Sequence, residues 1–190
     1  MPQRLKNLFW NHRSFKGKIA SVLFLLFFFY QLWILLHIIL WTVINPGESA
    51  FMETRLEHLQ EKDEKATLRH QWVNYNQISI NIKQAVIAAE DAKFIDHEGF
   101  DWEGIEKAYE KNKRRKKIVA GGSTISQQLA KNLFLSNQRT PWRKAEETII
   151  TLMLETILSK KRILEIYLNV IEWGNNVYGI EAASLHYFSA

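Results

Sequence analysis

The sequence predicts a mainly α-helical domain preceded by one transmembrane helix. Three observations carry this. Ile19 to Ile44 runs for 26 residues without Asp, Glu, Lys or Arg. Beyond it, apolar residues recur at three- and four-residue spacing, as they do along one face of a helix. The whole chain has three prolines, and no useful length alternates with the period of two that a half-buried strand needs.

The N-terminal tail, residues 1–18, holds Arg4, Lys6, Arg13, Lys16 and Lys18 and no acid. That accounts for the formal net charge of +5, because residues 45–190 contain 20 basic and 20 acidic side chains. The body has no basic excess, so nucleic acid is not expected as a partner. Residues 19–44 form the predicted span. At 1.5 Å per residue a helix of that length reaches about 39 Å, enough to cross a ~30 Å hydrocarbon core with tilt. A cleaved signal sequence has a shorter apolar core, about 7–15 residues, and a small-residue cleavage site, and this stretch has neither. Cations before the span and Glu48, Glu53, Glu57 and Glu61 after it predict an inside N-terminus and a body beyond the cytoplasmic membrane. The absence of cysteine is compatible with that compartment.

Asn45-Pro46-Gly47 ends the span and opens a membrane-proximal connector, residues 45–71, in which Glu53 to Arg69 reads as a charged amphipathic helix. The compact domain is expected over 72–190. Ile82, Val86 and Ala89 mark a helix from Ile80, and further helices are expected at Trp102–Asn112, Thr124–Phe134, Trp142–Leu158, Lys161–Val170 and Gly179–Phe188. Lys111, Lys113, Arg114, Arg115, Lys116 and Lys117 make the one dense basic run of the body. It reads either as a solvated loop or as a contact with anionic headgroups or a polymeric substrate.

Among candidate chemical groups, Glu90 closes the apolar run AVIAA. A carboxylate where a helix ends opposes the macrodipole, a placement that suits a proton acceptor. The local sequence alone also fits an ordinary surface glutamate. His97 has no second His or Cys at ligand spacing and reads as a hydrogen-bonded structural residue. Gly121-Gly122 leads into a helix at Thr124, and Thr124-x-x-Gln127 has capping-box spacing. A helix N-terminus approached through glycine suits anions, although Gly-Lys-Ser/Thr is missing and this is not a P-loop. Lys131 follows two turns later, and Arg139, Arg143 and Lys144 precede Glu147. A glycosidase needs a carboxylic acid to protonate its leaving group. A transferase expelling a pyrophosphate needs cations and a base instead. One base candidate with several Lys and Arg fits the second chemistry better.

The blocks AVIAAEDAKFIDHEGFDW (Ala85 to Trp102), GGSTISQQLAKN (Gly121 to Asn132), RKAEE (Arg143 to Glu147), SKKRILEIYLN (Ser159 to Asn169) and YGIEAASLHYF (Tyr178 to Phe188) stand in one order. Together, over roughly Trp72 to Phe188, they resemble the glycosyltransferase domain of family 51, the peptidoglycan polymerases. WGNNVYG (Trp173 to Gly179) is similar to the monofunctional type, which carries no penicillin-binding domain. The resemblance implies a lysozyme-like helical glycosyltransferase domain that polymerises lipid II. The growing glycan on undecaprenyl pyrophosphate is the donor, and a β-1,4 bond forms by a single inverting displacement. It implies that Glu90 is the catalytic base and Glu147 the second catalytic carboxylate. Asp91, Ser123, Thr124, Gln127, Gln128, Lys131, Arg139, Arg143 and Lys144 fall on substrate-binding positions, with Lys131 and Arg139 on the pyrophosphate. Asp91, Phe94, His97 and Gly99 shape the turn after Glu90.

The resemblance requires no cofactor for the chemistry, with a divalent cation (Mg or Mn) at Glu147 as an optional aid. Its partners are lipid II, the glycan strand and membrane lipids, with cell-division or cell-wall synthesis proteins beside them. Its location is the bacterial inner membrane, single-pass, with the catalytic domain on the outer face. The family's domain normally continues beyond Tyr187-Phe188, so its last helices are expected to be missing here. A lytic lysozyme-like enzyme and a silent lipid II-binding scaffold are the rival readings.

Overall fold

The computed structural model describes residues 15–188, which form eight helices and three short strands. Residues 1–14, most of the basic tail, lie outside the described residues. The chain divides into an N-terminal unit ending at His37 and a body beginning at Ile38.

Helix α1 (Phe15–Leu40) has 26 residues and a mean hydropathy of 2.4 over its most apolar window. It is long and apolar enough to cross a membrane, and only 17% of that window is buried. Phe24, Phe27, Phe28, Phe29 and Trp33 are all exposed along it. The helix is shifted from the expected 19–44. It takes in Lys16 and Lys18, both good helix formers, and stops at Leu40, where Thr42 Oγ1 turns back to the Ile39 carbonyl at 2.7 Å. Pro46 then keeps Asn45 out of helical geometry.

The core of the body is built from α5 (Ile125–Phe134), α6 (Pro141–Ile157) and α7 (Lys160–Val170). Ile125, Leu129, Ala130, Ile150, Leu154, Ile163, Ile166 and Leu168 are fully buried between them. Removing one such side chain, as in Leu129→Ala, costs about 2–5 kcal/mol. Each of these helices has a sequence-encoded start. Thr124, Thr140 and Ser159 accept hydrogen bonds from Gln127, Arg143 and Arg162 backbone N–H groups, and Pro141 occupies the first turn of α6. The connector folds as α2 (Ala50–Gln60), shorter than the predicted Glu53–Arg69 segment. Ser49 caps it, and Met52 is buried on the side that packs on α5.

A small sheet joins distant parts of the body. Strand β1 (Arg69–His70) runs parallel to β3 (Val177–Tyr178), which pairs antiparallel with β2 (Glu172–Gly174). Strands of two or three residues are too short to show a period of two, so no pattern marks them. The turn between β2 and β3 uses Asn175 and Asn176, the latter in the left-handed region at φ 64°. Arg55 of α2 donates to both asparagine side chains.

Glu165 and Asn169 brace the body by gripping β1 and the segment that follows it. Asn169 exchanges hydrogen bonds with the Val73 backbone at 2.8 and 2.9 Å, and its carbonyl meets His70 Nε2 at 2.9 Å. Glu165 accepts from Tyr75 N and from Arg162, both at 2.8 Å. Arg162 also donates to the carbonyls of Trp41 and Ile44 and to Asn45, fastening the chain that leaves α1 to α7. Helices α3 (Ile80–Glu90), α4 (Trp102–Arg115) and α8 (Ile180–Phe188) complete the body.

Candidate active site

Helix α3 stops at Glu90, because Asp91 turns to extended backbone at φ −162°. The Asp91 carboxylate is buried and faces inward. It accepts from His97 Nε2 at 2.9 Å and from Ile125 N, in the first turn of α5, at 3.0 Å. His97 Nδ1 accepts from Gly99 N at 3.1 Å, which leaves the proton on Nε2 for Asp91. Thr124 Oγ1 donates to the Gly99 carbonyl at 2.7 Å. The turn after Glu90 is therefore stapled to the start of α5 by groups that are satisfied within the protein.

Besides Asp91, two more of the expected substrate-binding residues support that staple. Thr124 and Gln127 form a complete capping box, as their spacing predicted, and both are buried. Ser123 stays exposed and, with Glu90, Gly121 and Gly122, lines a cavity of about 80 Å³. Ser126 donates to Glu155, which also accepts from Lys160 Nζ at 2.8 Å. This second brace holds α5 to α6 and α7.

Glu90 itself is exposed, and its carboxylate accepts from Gln128 Nε2 at 2.9 Å. The Gln128 amide is oriented in turn, because Tyr167 OH donates to its Oε1 at 3.0 Å. Burial pushes the Tyr167 phenol well above its ordinary value, and the charges of Glu90 and Asp91 push the same way. The phenol thus stays a donor at any working pH. Nothing in the sequence around Tyr167 signals this contact.

One turn after Gln128, on the same face of α5, Lys131 begins a cation cluster. Its ammonium lies 5.3 Å from the centroid of the Phe51 ring. Burial, then the neighbouring charges of Arg143, Lys144 and Arg139, push it below the usual lysine range, against the pull of Glu147. Glu147 is buried and accepts from both Arg143 and Lys144. Arg143 Nε is buried without a partner, and Arg139 is exposed on the loop between α5 and α6.

The described residues bring no three His, Cys, Asp or Glu side chains together as a metal site. Both Glu147 oxygens already face cations, so these residues do not fit a divalent ion at Glu147. What they do compose is an exposed carboxylate on an oriented amide, one helical turn from Lys131, with Arg143 and Lys144 anchored by the buried Glu147. Such an arrangement offers a proton acceptor at one end and positive charge at the other.

The family model described as Transglycosylase matches residues 55–190. The chain belongs to the transglycosylase family. Three similar proteins carry the name biosynthetic peptidoglycan transglycosylase. The one from Chromobacterium violaceum is 64% identical over 171 residues, covering 90% of this chain and 75% of its own length. Those from Methylobacillus flagellatus and Nitrosospira multiformis are 60% and 62% identical, cover 97% and 96% of this chain, and are themselves covered over 77% and 76%. The mainly helical body is the lysozyme-like fold of this transglycosylase family.

Proposed function

We propose that this chain is a peptidoglycan glycosyltransferase that polymerises lipid II into β-1,4-linked glycan and releases undecaprenyl pyrophosphate. Family membership and relatives named for peptidoglycan transglycosylation support the reaction class. One observation carries the mechanism: Glu90 rests on Gln128, one turn of α5 from Lys131 and its cluster.

Glu90 takes the proton of the acceptor's 4-hydroxyl as that oxygen attacks the donor's anomeric carbon. The bond to the donor's pyrophosphate breaks on the opposite face. Lys131 and Arg139 receive the negative charge on the departing phosphate, with Arg143 and Lys144 behind them. Charge-assisted donors placed where charge develops act most strongly in the transition state. Glu147 holds Arg143 and Lys144 in place and is not arranged to protonate a glycosidic oxygen. Ser123 and the Gly-rich turn lie beside Glu90, where an incoming sugar must pass. Asp91, Thr124 and Gln127 serve the site by fixing its walls.

Residues 19–44 hold the chain in the bacterial inner membrane as a single span, with the tail 1–18 inside. The connector 45–71 and the domain 72–190 lie on the outer face. The exposed apolar surface of α1 supports this reading. Both lipid-linked substrates are then confined to the same leaflet as the site. Incubation with fluorescent lipid II, followed by gel analysis, tests the proposal. A ladder of polymer supports it; shortening of preformed glycan, or binding without product, overturns it.

A further inference from the structure

The end of α4 and the start of its connection to α5 carry six cations that the proposed reaction does not use. Lys111, Lys113, Arg114, Arg115, Lys116 and Lys117 are all exposed. None of them makes an ion pair among the described residues. The nearest acids on α4 are Glu106 and Glu110, too few to neutralise the run.

The run is held in a defined shape. Lys116 ends α4 in the left-handed region at φ 51°. The Asn112 side chain then clamps the returning backbone: its Oδ1 accepts from Val119 N and Ala120 N at 2.7 and 2.9 Å, and its Nδ2 donates to the Ala120 carbonyl at 2.9 Å. The clamp leaves Ile118 81% exposed and Val119 40% exposed, directly beside the cations. A fixed tip that shows water an isoleucine and a ring of unpaired ammonium and guanidinium groups matches a membrane interface. There phosphates lie above and acyl chains begin just below.

We propose that this tip docks on anionic phospholipid headgroups, with the cations on lipid phosphates and Ile118 and Val119 at the headgroup–acyl boundary. It rests on the reading that the chain is membrane-anchored. A contact of this kind would hold the Glu90 cleft toward lipid-linked substrate.

The chain has no cysteine, so Ile118→Cys accepts a single environment-sensitive fluorophore. The full-length protein is placed in nanodiscs of phosphatidylcholine alone or with phosphatidylglycerol, and quenching by headgroup-proximal spin-labelled lipid is measured. The expected result is strong quenching only with phosphatidylglycerol, lost at ~1 M salt, where the screening length is about 3 Å. Lys113→Gln, Arg114→Gln and Lys117→Gln together should abolish it, at about fivefold weaker docking per charge removed. Equal quenching in both discs overturns the proposal. So does a response to lipid II in neutral discs without any response to phosphatidylglycerol, which would make the tip a substrate contact. Failure of the protein to co-elute with discs would instead strike the anchoring reading, and loss of the polymer ladder would strike the reaction.

Discussion

Gln128 Nε2 donates to the Glu90 carboxylate across 2.9 Å, joining the end of α3 to the face of α5 that carries Lys131. The contact places a carboxylate at solvent without leaving it mobile. Glu90→Gln preserves this shape, since the new amide oxygen still accepts from Gln128. It cannot take a proton, and loss of a general base lowers rate by roughly 10²–10⁴. The expected outcome is an unchanged melting temperature with polymerisation down by that factor. A variant that builds polymer at the wild-type rate would remove Glu90 from its role.

Tyr167→Phe tests whether orientation of the amide matters. The phenol is buried and supplies the donor that fixes Gln128 Oε1. Without it the oxygen loses its partner and the amide can rotate, at about 1 kcal/mol. Turnover should fall about tenfold, equivalent to 1.4 kcal/mol, with little change in KM. An equal loss in KM and none in kcat would show that Tyr167 acts only through packing.

Alkaline stability follows from two tyrosines. Burial lifts Tyr178 to about 12, with Glu172 adding and Arg55 opposing, and it lifts Tyr167 further. Above the ordinary phenol value of 10.0 the unfolded chain releases protons that the folded chain keeps. The stability these groups hold is therefore intact below about pH 10 and is lost as pH rises through the folded values. Melting temperature should drop more steeply above about pH 10 in the wild type than in Tyr178→Phe. Parallel curves would contradict it.

Gly99 is required by geometry. Its φ is +90°, and an added Cβ would stand 2.9 Å from Thr151 Cγ2 and 3.0 Å from Glu155 Cγ. Both neighbours are held, Glu155 by Ser126 and Lys160. Gly99→Ala should cost about 1–3 kcal/mol in thermal or urea unfolding. Because Gly99 also anchors Thr124, polymerisation should fall with it. A variant of wild-type stability would mean that this turn relaxes freely.

Much of this was legible because the information is local. The starts of α5, α6 and α7 are written in Thr124, Thr140 and Ser159, and the grouping of Arg143 and Lys144 on Glu147 follows from three- and four-residue spacing. Contacts between distant segments were not legible. Tyr167 and Gln128 lie 39 residues apart, and a tyrosine in a helical pattern carries no mark of the partner its hydroxyl finds. The same holds for Arg162 reaching the chain after α1. The three-stranded sheet was hidden because its strands are shorter than one unit of pattern. The partners of Asp91, His97 and the backbone of Ile125, come together only in the fold.

Lys131 and Arg139 should act on the leaving group and not on the fold. Lys131 makes no ion pair among the described residues and is crowded by Arg143, Lys144 and Arg139, which lower its affinity for a proton after burial has done so. Removing its charge relieves that repulsion but also gives up the attraction of Glu147, so Lys131→Ala should melt close to the wild-type temperature. Arg139 is exposed, so Arg139→Ala should change stability by no more than about 0.5 kcal/mol. Loss of a donor aimed at developing charge should instead cost roughly 2–4 kcal/mol in the transition state, or two orders of magnitude and more in polymerisation. A glycosidase acting on uncharged glycan gives no reason for this split between stability and rate. Normal melting together with full polymerisation in both variants would show that the departing pyrophosphate is received elsewhere.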